Sequence, residues 1–249
     1  MAKADFTPEY GKVLGIATPL ANSTVEPEMQ RLLGGATVLA SRLASPLADS
    51  RARLIDYFDR LPATLAQFDL APVRAAGFAC TGSSYLTGRE DEERRLDAAS
   101  NAAGYPVLSS AQAIRAALAA LGTRRVALVS PYPQWLAEAA LEYWRRAGLT
   151  VTAVAGLPQD LQDTRGVYRL ATPRVLELCA ALDTRSADAI LLSGTGMPTL
   201  RTIAALGAGI PVLSSNLCLA WQLDRASGGS AAIGPWLAAD APWRARLDI

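Results

Sequence analysis

Short apolar runs recur along the chain. Each is bounded by turn residues and followed by a longer stretch whose apolar positions repeat every three to four residues. The runs at residues 12–18, 36–41, 75–80, 107–109, 126–130, 151–155, 189–193 and 212–214 read as strands. The stretches at 46–65, 90–103, 111–121, 133–147, 172–182 and 199–206 carry helical spacing. Strands that are apolar throughout, separated by helices, predict an α/β fold with a parallel sheet covered on both faces.

The pattern also repeats. Tyr105-Pro106-Val107-Leu108-Ser109-Ser110 precedes one helical run, and Ile210-Pro211-Val212-Leu213-Ser214-Ser215 precedes another. Val13-Leu14-Gly15-Ile16-Ala17-Thr18-Pro19 is similar to Val126-Ala127-Leu128-Val129-Ser130-Pro131. These tracts divide the chain into two similar doubly wound, flavodoxin-like halves, residues 11–122 and 123–230, related by pseudo-two-fold symmetry. Residues 231–249 are expected to form a tail packed on the first half. In open α/β sheets ligands sit beyond the carboxyl ends of the strands. Four loops, 18–26, 80–85, 130–134 and 194–199, are then expected to face one cleft between the halves.

Composition narrows the chemistry. The 249 residues are 51% hydrophobic, and 24 Lys and Arg balance 23 Asp and Glu, so no nucleic-acid footprint is expected. The first residues lack the apolar core of a leader peptide, and no apolar run approaches a membrane span. Three widely spaced cysteines and no paired spacing speak for reduced thiols and a cytoplasmic protein. The chain has no histidine, which removes Ser-His and Cys-His catalysis and the commonest zinc ligand. With no phosphate loop or dinucleotide fingerprint either, no metal and no organic cofactor is expected.

Cys80 ends the apolar run Ala75-Ala76-Gly77-Phe78-Ala79 and opens Thr81-Gly82-Ser83-Ser84. A strand thereby delivers a thiol to a turn rich in N–H and hydroxyl donors, which can stabilise a thiolate or cradle an oxyanion. The plainer readings are a small buried hydrophobe for Cys80 and helix capping for Thr81, Gly82 and Ser83. On the repeat, the counterpart of Cys80 is Gly194, followed by Thr195 and Gly196, a tight turn or a backbone anion pocket. Asn22 reads as a turn residue or a ligand contact, and Tyr132 as a packing tyrosine or a carboxylate donor. Cys179, Cys218 and the Tyr57-Phe58 pair read as packing, and Ser214 and Ser215 as helix-entry caps.

The same loops carry a resemblance. Pro19-Leu20-Ala21-Asn22-Ser23-Thr24-Val25-Glu26, Phe78-Ala79-Cys80-Thr81, Ser130-Pro131-Tyr132 and Ile190-Leu191-Leu192-Ser193-Gly194 with Thr199-Leu200 resemble the aspartate/glutamate racemase superfamily, in its maleate isomerase and arylmalonate decarboxylase branch. The resemblance implies a catalytic Cys80, with Asn22, Thr81, Gly82, Ser83, Tyr132, Gly194 and Thr195 binding substrate carboxylate or oxyanion. It implies a small carboxylic or dicarboxylic acid substrate, with homo-oligomerisation left open. Two departures stand out. Racemases and maleate isomerases of this superfamily have a cysteine in each half, whereas arylmalonate decarboxylase keeps only the second; this chain is its mirror. Near Gln162-Asp163-Thr164, where maleate isomerases place a carboxylate-binding Asn, this chain has Asp163, whose charge would repel a substrate carboxylate. One thiol speaks against two-thiol racemisation and favours decarboxylation of a malonate-like acid with Cys80 as proton donor. Maleate-type cis–trans isomerisation with Cys80 as nucleophile stays open, as does a carboxylate-binding protein without turnover. A cysteine placed at position 194 is expected to open the second face of the substrate and allow slow racemisation.

Overall fold

The structure is a computed structural model describing residues 11–157, 163–207 and 209–247. The leader-peptide expectation, which rests on residues 1–10, together with Gln162 and the last two residues of the tail, lies outside the described residues.

The chain runs β1 (Val13–Pro19), α1 (Val25–Leu32), β2 (Thr37–Leu43), α2 (Ser50–Asp59), α3 (Leu61–Leu65), β3 (Val73–Phe78), α4 (Thr81–Thr87), α5 (Arg89–Ala103), β4 (Val107–Ser109) and α6 (Ser110–Ala120). It continues β5 (Arg125–Ser130), α7 (Gln134–Arg146), β6 (Thr150–Gly156), α8 (Thr172–Ala180), β7 (Ala189–Leu192), α9 (Leu200–Leu206), β8 (Val212–Ser214), α10 (Ser215–Ala226) and α11 (Gly234–Leu237). Two parallel four-stranded sheets result, ordered β2-β1-β3-β4 and β6-β5-β7-β8. The orders are the same when the second set of strands is matched to the first in sequence. The continuously apolar runs are the central strands: every residue of β1 and β7 is buried, while β6, at an edge, leaves Val154 exposed.

All eight expected strands form, with ends shifted by no more than two residues. The repeated Val-Leu-Ser-Ser tract has a local cause. In each copy the first serine ends the strand and accepts from the third residue on: Ser109 Oγ from Gln112 N at 2.9 Å, Ser214 Oγ from Leu217 N at 3.1 Å. Each serine caps the next helix.

Three expectations need correction. The helical run at 46–65 is two helices, because Asp49 caps α2 through Ala52 N at 2.7 Å and Pro62 opens α3. The loops expected at 18–26 and 80–85 are shorter, since α1 starts at Val25 and α4 at Thr81. The donors of Thr81, Gly82 and Ser83 therefore belong to a helix's first turn.

Helix α10 follows the last strand of the second sheet but packs on α6, α1 and β3. The tail touches elements of both sequence halves: Arg246 Nε donates to Arg31 O at 2.6 Å and Arg201 of α9 to Leu247 O at 2.7 Å. No described helix is long and apolar enough to cross a membrane.

Candidate active site

Cys80 stands where β3 passes into α4, with an extended backbone (φ −148°, ψ 90°) as N-cap of that helix. Its sulfur receives donors from the first turn of that helix. Ser83 Oγ donates to Cys80 Sγ at 3.2 Å, and the Gly82 and Ser83 amides reach it as well. The Ser83 hydroxyl is thus directed at the sulfur. Cys80 is 5% exposed, and burial pushes its thiol above its ordinary value, against the pull of Ser83, Gly82 and Arg53. The thiol is thus held in its neutral form near pH 7.

Thr81 Oγ1 lies 2.7 Å from the Tyr132 hydroxyl, joining the first turn of α4 to the turn after β5. Burial, reinforced by Tyr85, raises Tyr132 well above the usual phenol, so its hydroxyl stays a proton-bearing donor. Tyr85 meets the Tyr132 ring edge-on at 6.3 Å between centroids and places its own hydroxyl 2.5 Å from Ser193 Oγ.

Asn22 is a turn residue that also bridges the two halves of the sequence. Its Oδ1 accepts from Thr24 N at 3.0 Å and Val25 N at 3.3 Å, closing the turn into α1. Its Nδ2 reaches across to Thr195 Oγ1 at 3.2 Å. Thr195 Oγ1 donates in turn to Ala79 O at 2.9 Å, the carbonyl preceding Cys80. Asn22 and Thr195 are 1% and 4% exposed.

The Gly194 amide is not free to join a backbone anion pocket at 194–196. Its N–H is already engaged, donating to Ser215 Oγ at 2.9 Å. Ser215, expected only to cap a helix, holds this turn. Gly194 has φ +138°, and a Cβ built there would stand 3.2 Å from the Tyr132 hydroxyl and 3.2 Å from Pro131 Cγ. A side chain at 194 would be strained in its backbone and tight against both neighbours. The structure brings the Cys80, Tyr132, Asn22 and Thr195 segments together, and it sets the Tyr132 hydroxyl close to position 194.

Three residues that sequence reasoning did not assign to the site, Arg53, Tyr57 and Tyr168, interact electrostatically with the thiol. Tyr57 and Tyr168 are raised chiefly by burial and next by the charge of Cys80, Tyr57 to about 12, and Arg53 opposes both shifts. A Cβ on Gly196 would stand 2.5 Å from the Tyr168 ring, which places that ring on the Thr195 turn. Arg53 Nη2 donates to Asp163 Oδ1 and to Ser50 Oγ, both at 2.9 Å. Arg165 takes the other Asp163 oxygen and, with burial opposing and Arg53 helping, holds that carboxyl down at about 2. Asp163 is therefore not a bare charge turned on a substrate; two guanidiniums surround it. Arg53 and Tyr57 had a signal, lying four residues apart on α2, whereas Tyr168 lies in a stretch with no apolar period.

Cys179 on α8 and Cys218 on α10 are buried, and burial raises both thiols. Among the described residues no group of three or more His, Cys, Asp or Glu could hold a metal ion.

Comparison with known proteins places the chain in a family. A sequence model of the arylmalonate decarboxylase family matches residues 14–234. The maleate isomerase of Geobacillus stearothermophilus is 33% identical over 149 residues, 58% of this chain and 57% of that protein. The arylmalonate decarboxylase of Bordetella bronchiseptica is 30% identical over 162 residues, 62% of this chain and 65% of that protein. The chain thus spans less than two thirds of the length of either relative. A solved structure of a Cys-to-Ser variant of Nocardia farcinica maleate cis-trans isomerase, with a covalently bound succinylcysteine intermediate, superposes with a TM-score of 0.77 at 26% identity, covering 91% of this chain and 98% of that one. The chain belongs to the arylmalonate decarboxylase family, the branch that also holds the maleate isomerases.

Proposed function

We propose that the protein is a cofactor-independent decarboxylase of small malonate-like acids in which Cys80 delivers the proton. The observation that carries this reading is a single buried thiol, held neutral, beside the Thr81–Tyr132 hydroxyl pair, with Tyr132 and not a second sulfur beside Gly194. In the step proposed, the bond from Cα to one carboxylate breaks and carbon dioxide leaves. The electron pair passes into the remaining carboxylate as an ene-diolate. Thr81, Tyr132 and nearby amides donate to its oxygens, and fixed donors in a water-poor site are worth several kcal/mol to such a charge, about 2.7–4 kcal/mol each. The Cys80 S–H proton then moves to Cα, and water restores the thiol.

The Geobacillus and Nocardia relatives favour a second reading, cis–trans isomerisation of an unsaturated diacid. There the Cys80 thiolate would add to the alkene, the new single bond would rotate, and elimination would return the thiolate. Incubation of the purified protein with phenylmalonate and with maleate, followed by NMR in deuterated water, separates the readings. Phenylacetate carrying one deuterium supports the first, fumarate supports the second, and binding of either acid without product leaves a carboxylate-binding protein.

A further inference from the structure

Glu28 belongs to α1, in the first half of the sequence, yet its side-chain partners lie in the second. Its Oε1 accepts from Thr199 N at 2.5 Å and Leu200 N at 3.0 Å, and its Oε2 accepts from Asn216 Nδ2 at 2.8 Å. The Thr199 hydroxyl donates to the same carboxylate, at 3.1 Å from Oε2. Glu28 is 7% exposed, so these partners stand in for water. Thr199 enters α9 without a side-chain cap of its own, and Glu28 supplies the missing acceptor from another helix.

The second partner leads to the site. Asn216 Nδ2 also donates to Thr195 O at 3.0 Å, while its Oδ1 is buried with no partner. The orientation of that amide is therefore set by its two acceptors, Glu28 and Thr195 O. Thr195 Oγ1 then holds Ala79 O, next to Cys80. Glu28, Asn216, Thr195 and Ala79 form a continuous hydrogen-bonded chain from α1 to the thiol-bearing turn.

We propose that Glu28 is a positioning residue that fixes the Thr195 turn, and through it the backbone next to Cys80. The proposal rests on the reading that the Cys80 site transforms a carboxylic acid. A glutamine at this position keeps an oxygen for the Thr199 and Leu200 amides but sets its NH2 against the NH2 of Asn216, donor against donor. Relief requires Asn216 to turn its amide over, which takes the donor away from Thr195 O. Shape is kept and the turn is released. A misplacement of about 1 Å far from the chemistry can cost on the order of a hundredfold in rate.

The test uses the full-length protein with Glu28→Gln and, separately, Asn216→Ala, which leaves the Glu28 contacts to α9 intact. Folding is followed by circular dichroism and thermal melting, and kcat and KM are measured on phenylmalonate and maleate. Both variants should fold and lose kcat by about ten- to a hundredfold, with KM changed by less than about threefold. A folded Glu28→Gln or Asn216→Ala with kcat unchanged overturns the proposal. If Glu28→Gln does not fold, Asn216→Ala decides alone. If the unaltered protein turns over neither acid, the functional reading fails separately, and positioning is read from alkylation of Cys80 by iodoacetate relative to iodoacetamide. Glu28→Gln should lower that ratio, and an unchanged ratio overturns the proposal.

Discussion

The Tyr132 hydroxyl lies 3.2 Å from the point where a Cβ on Gly194 would stand, in a backbone conformation (φ +138°) that side-chain-bearing residues rarely adopt. Installing a second thiol by Gly194→Cys therefore does not simply add an acid to the other face. The substitution is expected to cost about 1–3 kcal/mol of stability. It should also push Tyr132 off Thr81, lowering turnover without yielding racemic product. Denaturant unfolding, and chiral chromatography of the 2-phenylpropionate formed from 2-methyl-2-phenylmalonate, check this, and a stable variant that racemises that product would contradict it.

Cys80→Ala should lower turnover by about 10²–10⁴-fold while leaving the fold intact, the range a positioned proton donor supplies. Cys179→Ala and Cys218→Ala should keep the activity of whatever protein folds, because both thiols are buried in α8 and α10, away from the cleft loops. Steady-state rates normalised to folded protein are the measurement. Full activity in Cys80→Ala would end the cysteine mechanism.

The pH profile separates the two chemistries. Burial raises the Cys80 thiol, so the neutral form persists above the ordinary thiol value of about 8.5. A proton donor is competent while protonated, so the decarboxylation rate should stay level through neutrality and fall only above that value. A thiolate nucleophile has the opposite dependence, and isomerisation should rise across the same window. The sign for stability follows too. The contribution of the neutral thiol is complete below the unfolded value and is lost as pH rises through the folded one. Rate profiles on phenylmalonate and maleate, with the thiolate followed by ultraviolet absorbance, read both effects.

Tyr132→Phe removes the hydroxyl beside Thr81 and leaves the ring against Tyr85. Loss of one donor to a developing oxyanion is expected to lower kcat by about 10²–10³-fold. KM should change less, because the donor matters most once charge has moved onto the carboxylate. An equal change in KM and none in kcat would make Tyr132 a ground-state contact alone.

The strands and their doubling were legible in the sequence because central parallel strands are buried on both faces and so appear as unbroken apolar runs, as in Val126-Ala127-Leu128-Val129. The Cys80 turn was legible for the same reason: a small-residue donor tract followed such a run. Its helical character was not, since Thr81-Gly82-Ser83-Ser84 has poor helix propensity and is held by packing, with Leu54 and Leu136 against Gly82. The cross-half contacts were also hidden. Glu28 on α1 resembles any surface glutamate until α9 and α10 fold over it, and Asp163 resembles an intruding charge until Arg53 and Arg165 meet it. Pairings over more than a hundred residues leave no periodic trace in the sequence.

That last cluster yields a final expectation. Asp163→Asn keeps an oxygen for Arg53 and for the Arg165 amide, so the loop should stay in place, but it deletes the charge that offsets two guanidiniums. Arg53 already favours the Cys80 thiolate, and with less compensation it should favour it more. The thiol value should therefore fall, modestly because the Asp163 side chain is 41% exposed and partly screened. Under the proton-donor mechanism the alkaline loss of activity should begin at lower pH in this variant. Under the nucleophilic mechanism the rate at neutral pH should rise instead. Added salt should shrink either effect, since screening acts within about 10 Å at 0.1 M ionic strength. Thiol titration by iodoacetamide labelling, at low and high salt, gives the shift directly; an upward shift would mean that the Arg53–Asp163 pair does not act on Cys80 electrostatically.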